Sequence, residues 1–204
     1  MPVSRLINGK GLSAKELALI EPFAISCHAL SRAEIKEGDM LLIMGAGPIG
    51  LFALLRAKAL GAKVMIADML ENRLNLALSY GADAVVNVKE KDLHAQAMAF
   101  TNDNGFDVCV EACGAPATFL SCIYESTHGA NIILIGNGKR ETSFVHSVLL
   151  KKELNVFGSR NALTKDFETL IDLVANRTVD VLKLGSDVYK ADDAQIAFDK
   201  LKNN

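Results

Sequence analysis

The sequence predicts a doubly wound α/β fold, an open parallel sheet with helices on both faces, on three observations. Short runs rich in Val, Ile, Leu and Met recur along the 204 residues with helical patterns between them. Such runs suit parallel strands buried on both faces, and strict alternation with helices is the signature of βαβ units. A glycine-rich turn directly follows the first run, where a dinucleotide-binding strand passes into its helix. Half of the residues are hydrophobic and 23% are charged, which supplies one buried core and excludes a disordered chain.

Each element has a local reason. Ser13 and Glu16 are spaced as a capping box, so a helix is expected to start there. A second helical pattern begins at Pro22 and runs to about residue 33, before Lys36-Glu37-Gly38-Asp39 turns into the first strand, residues 40–44. Residues 48–60 are apolar almost all round and stop at Gly61, as a helix packed on a sheet would. A second strand is expected at 64–67. The next helix, 71–80, carries Leu74, Ala77 and Leu78 on one face and ends at Gly81. Strands at 84–88, 108–110, 132–135 and 154–157 follow, with crossover helices at 92–100 and 115–126. Two amphipathic helical patterns, 167–175 and 192–201, complete the chain with no further strand.

Composition excludes several function classes. A net charge of −2 without a basic cluster argues against nucleic acid. No stretch approaches the roughly 20 apolar residues of a membrane span. Arg5 and Lys10 are followed by no apolar run, so no secretory signal is read and the cytoplasm is expected. Cys27, Cys109, Cys113 and Cys122 form no C-x-x-C pair and read as free thiols, Cys109 and Cys113 as small buried hydrophobes. His28, His94, His128 and His146 are scattered and read as structural histidines, so no metal site is expected.

The chemistry concentrates in Gly45-Ala46-Gly47-Pro48-Ile49-Gly50, a G-x-G-x-x-G between the first strand and its helix. Gly45 allows the tight turn, Gly47 lets a pyrophosphate approach the backbone, and Gly50 lets helix and strand pack closely. The helix amino terminus would hold the anion. Asp68 ends the second strand, where an acidic residue about 20 positions past the glycines binds the ribose hydroxyls and repels a 2′-phosphate. Met69 follows it, not an arginine, so NAD is expected over NADP. Arg73 reads equally as a clamp over the adenosine or as a solvated helix cation. No Tyr-x-x-x-Lys pair marks a short-chain reductase, and neither Gly9-Lys10 nor Gly138-Lys139 completes a P-loop. Methyltransferases, which share a glycine-rich turn and an acid after the second strand, remain a rival on motif grounds.

An ordered set of residues narrows this further. Glu21-Pro22-Phe23, His28, the glycine turn, Asp68 with Glu71-Asn72-Arg73-Leu74, Gly81-Ala82-Asp83, Glu111-Ala112-Cys113-Gly114, Ile135-Gly136-Asn137-Gly138 and Gly158-Ser159-Arg160 recur in that order. The chain resembles the coenzyme-binding half of zinc-dependent medium-chain alcohol dehydrogenases, nearest the sorbitol, threonine and sugar-acid branch. The resemblance implies a Rossmann fold over residues 26–204, with residues 1–25 a segment connecting to a GroES-like catalytic domain that is absent. It implies that Gly45, Gly47, Pro48, Ile49, Gly50, Asp68 and Arg73 hold the pyrophosphate and adenosine of NAD. Ile135, Gly136 and Asn137 would line the nicotinamide, with Ser159 and Arg160 nearby, and Ala112 and Cys113 would also bind the cofactor.

By the same resemblance Glu21 is the catalytic-side residue, beside a zinc present only in the full-length parent. The parent would oxidise an alcohol, polyol or sugar acid, whereas this chain alone would be inactive. The alternative is a naturally truncated NAD-binding or sensing module. A homodimer is implied through the sheet edge near Gly158-Ser159-Arg160, with an interdomain face exposed around Glu21, Phe23 and the last helix.

Overall fold

The computed structural model describes residues 6–185 and 187–202. Six strands form one sheet in the order β3-β2-β1-β4-β5-β6, every pair parallel. They are β1 (Met40–Met44), β2 (Lys63–Asp68), β3 (Ala84–Asn87), β4 (Phe106–Glu111), β5 (Ser126–Leu134) and β6 (Asn155–Gly158). Leu41, Leu42 and Ile43 of β1 are fully buried, as a central strand covered on both faces requires.

Before the sheet comes α1 (Ala14–Ser31). Between strands lie α2 (Pro48–Ala59), α3 (Glu71–Ser79), α4 (Leu93–Thr101), α5 (Pro116–Glu125) and the short α6 (Ser147–Lys152). Beyond β6 come α7 (Thr164–Ala175), two 3₁₀ turns at Val181–Leu184 and Ala191–Asp193, and α8 (Ala194–Lys202). One face of the sheet packs Leu41, Ile43, Val64 and Ile66 against Leu30, Leu54, Leu74 and Ala77. The other packs Leu42, Met65 and Cys109 against Ala97, Cys122 and Ile123. The doubly wound class is therefore as expected.

Three expectations about the first helix meet a different structure. The capping box is present, but Pro22 does not divide the first helix; α1 runs through it without a break. A proline inside a helix loses a backbone hydrogen bond and costs about 3 kcal/mol. Burial on both sides of it offsets that cost: Ile20, Phe23, Ala24 and Cys27 pack with Phe52, Leu170 and Val174, and the Phe23 and Phe52 rings stack with centroids 5.0 Å apart. The boundary expected between residues 25 and 26 thus falls inside one helix. Phe23, expected on an exposed face, is fully buried.

The ends of several elements also shift. β4 begins at Phe106 and β5 at Ser126, earlier than the apolar runs suggest. His128 and Gly129 interrupt the hydrophobic pattern of β5 with exposed positions, while a register irregularity between Phe106 and Val108 lets the pairing continue past them. α6 gives no sequence signal, being six residues long with no side-chain cap and no buried residue. Among the described residues no strand follows β6, so the free edge on that side is β6 itself.

Candidate dinucleotide-binding site

The strand order places β1 beside β4, although two strands and three helical crossovers separate them in sequence. Connections leave these neighbours in opposite directions, which opens a crevice at the carboxyl ends of the strands. The residues singled out in the sequence meet there. Gly45 follows β1 with a φ of +107°, a left-handed conformation that glycine alone adopts without strain. Its N–H donates to Ala67 O at 2.8 Å.

The three glycines of the turn have different surroundings. A Cβ at Gly45 would lie 2.6 Å from Cys113 Sγ, and one at Gly50 only 1.9 Å from the Gly45 carbonyl oxygen. At Gly47 nothing lies within 4 Å of the same construction. The first and third glycines are therefore closed in by protein, and the second faces open space. Gly47 is also the N-cap of α2 and provides no side-chain cap, with Pro48 as the first helical residue. The orphan amides of that first turn make an anion site with the helix dipole behind it.

Asp68 ends β2 beside this turn. Its side chain is 9% exposed, and Arg73 Nη1 lies 4.0 Å from Oδ2. The carboxylate also has a bracing task that the motif does not announce. Oδ2 accepts from Ala46 N at 2.8 Å, within the glycine turn, and Oδ1 accepts from Met69 N and Leu70 N at 2.7 and 2.9 Å.

Across the crevice the end of β4 is built around Glu111, which sequence reasoning quoted in a motif without giving it a role. It is 2% exposed. Oε1 accepts from Cys113 N and Gly114 N, both at 2.9 Å, and the Thr118 hydroxyl lies 2.6 Å away. The signal available in the sequence was an acid directly after the apolar run 108–110 and just before a small-residue turn. Cys113 corrects an expectation: Cys27, Cys109 and Cys122 are buried, but Cys113 is exposed, because it sits on the turn after β4 and not within the strand. Its sulfur donates to Met44 O at 3.3 Å. Burial of the sulfur, with the Glu111 and Asp68 charges adding to it, pushes the thiol up to about 11.

Ile135, Gly136 and Asn137 leave β5 on the same side. With Ile25, Leu134 and residues 158–161 they line a cleft of about 560 Å³. Ser159 Oγ is buried and has no hydrogen-bond partner among the described residues; an unpaired buried hydroxyl is costly, and a ligand group in the cleft would satisfy it. Glu21 is exposed on α1, one turn before Ile25, and is not part of the cleft wall. His28 Nδ1 lies 3.0 Å from Asp166 Oδ2, joining α1 to the start of α7. Among the described residues no cluster of three or more His, Cys, Asp or Glu could hold a metal ion.

Comparison with known proteins decides the family. A model described as zinc-binding dehydrogenase matches residues 48–176, from the first residue of α2 to the end of α7. The chain belongs to this family. It is 33% identical over 192 residues to the sorbitol dehydrogenase of Bacillus subtilis strain 168, a match covering 93% of the chain and 54% of that protein. It is 34% identical to the L-galactonate-5-dehydrogenase of Escherichia coli K12, over 86% of the chain and 52% of the relative. Among solved structures, the Escherichia coli oxidoreductase ECK1772 superposes with a TM-score of 0.86 at 30% identity, covering 91% of the chain and 53% of its own. The chain spans about half the length of the relatives it matches, and the half it matches is the coenzyme-binding one. The methyltransferase alternative is thereby set aside.

Proposed function

We propose that the crevice holds NAD, and that the chain serves as the coenzyme domain of a zinc-type dehydrogenase acting on an alcohol, polyol or sugar acid. The observation that carries this reading is the glycine turn, closed by protein at Gly45 and Gly50 and open at Gly47, with Asp68 beside it. The pyrophosphate would lie over Gly47, Pro48 and Ile49, and Asp68 with Arg73 would meet the adenosine. Ala112 and Cys113 would flank the middle of the cofactor. Ile135, Gly136 and Asn137 would line the nicotinamide, with Ser159 and Arg160 closing the far side.

When bound, NAD supplies the hydride acceptor. The chain's own part is to orient the nicotinamide, to screen one of its faces with the β5 turn, and to bind the phosphates. In a dehydrogenase of the relatives' length a zinc would be held by residues other than those described. Glu21, exposed above the cleft, would then be an outer-shell group beside it. Calorimetry on the chain is expected to show NADH binding clearly tighter than NADPH, because a carboxylate at the ribose repels a 2′-phosphate; equal affinities would sink the assignment.

The same reading includes a homodimer through β6 and a cytoplasmic setting, the latter supported by four free cysteines. No helix of the described residues is long and apolar enough to cross a membrane. An open edge presents unpaired amides and carbonyls, which a two-fold partner can satisfy. Ser159 N–H bonds back to Leu134 O, so by the alternation of the ladder the Val156 N–H points away from β5. Val156 is 38% exposed. Val156→Pro is expected to remove an intersubunit donor while sparing the internal sheet. Sedimentation should then show a dimer for the unmodified chain and a monomer for the variant; a monomer for both refutes the edge pairing.

A further inference from the structure

We propose that Glu111 is a positioning residue for the dinucleotide, setting the gap between the 112–114 turn, which would flank its middle, and the 135–136 turn, which would line its nicotinamide. The proposal rests on the coenzyme reading above and adds a residue to it.

Glu111 is an almost fully buried carboxylate whose donors are all neutral. Its side chain bonds the Cys113 and Gly114 amides and the Thr118 hydroxyl. Thr118 is in the first turn of α5, whose N-cap, Ala115, makes no side-chain cap. Glu111 thus satisfies groups near that helix start from a distance, and the positive end of the helix favours its charge.

The same residue also holds the neighbouring turn. Its carbonyl oxygen accepts from both Ile135 N at 2.9 Å and Gly136 N at 3.0 Å. A Cβ on Gly136 would lie 2.5 Å from Glu111 Oε2 and 2.1 Å from Gly114 N. One residue therefore fixes the 112–114 turn by its side chain and the 135–136 turn by its backbone, with no space between them for adjustment. Asp68, on β2, braces the glycine turn at Ala46 N without Glu111, and the 112–114 turn touches that turn through the Cys113 sulfur beside Gly45 and Met44 O, so adenosine binding is expected to depend on Glu111 far less than nicotinamide binding does.

This asymmetry gives the test. NADH spans both halves of the crevice, whereas ADP uses only the adenosine and pyrophosphate half. Glu111→Gln keeps an oxygen at the Oε1 position and loses the charge and the Oε2 acceptor. It is expected to weaken NADH binding about tenfold while ADP affinity stays within about twofold. Thr118→Val, which removes one donor with little change in shape, should act in the same direction more weakly, and Thr118→Ser should restore binding. Equal losses for NADH and ADP would show a general structural role and overturn the proposal, as would unchanged affinities. If Glu111→Gln does not fold, the Thr118 pair decides in the same way. An unmodified chain that takes up no NADH overturns the coenzyme reading itself, and this proposal with it.

Discussion

Replacing Gly50 by alanine is expected to lower stability by about 3 kcal/mol, at the upper end of the cost of overpacking a tight site, and to abolish NADH binding. The added methyl would stand 1.9 Å from the Gly45 carbonyl oxygen. That contact is backbone on backbone, so no side chain can rotate to relieve it. Either α2 lifts from β1 or the Gly45 turn opens, and both displace the amides at the helix start. Gly47→Ala supplies the matching control, since its methyl meets no protein atom within 4 Å. Thermal unfolding should show Gly47→Ala close to the unmodified chain, while calorimetry shows NADH binding lost, because the methyl occupies the space the pyrophosphate would take. One methyl three residues away then separates folding from binding. Two variants equally stable would show that Gly50 is not closed in by the Gly45 turn, and a Gly47 variant that still binds NADH normally would show that the turn does not face the phosphate.

The contrast between these glycines also marks what the sequence can reveal. The spacing of Gly45, Gly47 and Gly50 was legible because a G-x-G-x-x-G has the same geometric reasons wherever a parallel strand enters a helix. The strands were legible because apolar runs on a doubly covered sheet leave a strong pattern, as in Leu41-Leu42-Ile43. What escaped depends on distant partners. Pro22 reads as a helix boundary until Phe52 and Leu170 are seen to bury the helix on both sides of it. Cys113 reads as a core thiol until the strand ends at Glu111 and leaves it on the turn. Glu111 carries only the faint signal of an acid after an apolar run, since its bonds go to amides supplied by Cys113, Gly114, Ile135 and Gly136 once the strands align.

Asp68→Ala is expected to have two separable effects, because its carboxylate braces the glycine turn and, in the proposed complex, would meet the ribose. The first is a loss of about 2–3 kcal/mol in stability, the order expected when a hydrogen-bonded charge is removed and a buried amide is left unpaired. The Ala46 N–H, in the buried glycine turn, loses its acceptor at 2.8 Å, whereas the exposed Met69 and Leu70 amides can turn to water. The second effect is on cofactor choice. With the negative charge gone, a 2′-phosphate is no longer repelled, and Arg73, whose Nη1 lies 4.0 Å from Oδ2, is released to pair with it. NADPH affinity should therefore rise in absolute terms while NADH affinity falls, narrowing the gap by about tenfold or more. Adding Arg73→Ala should cancel the NADPH gain without restoring NADH, which assigns the gain to the guanidinium and not to a loosened turn. If the double variant keeps the NADPH gain, Arg73 is only a solvated cation on α3. If Asp68→Ala leaves the NADH to NADPH ratio unchanged, Asp68 serves the turn alone, and the selectivity assigned to it is wrong.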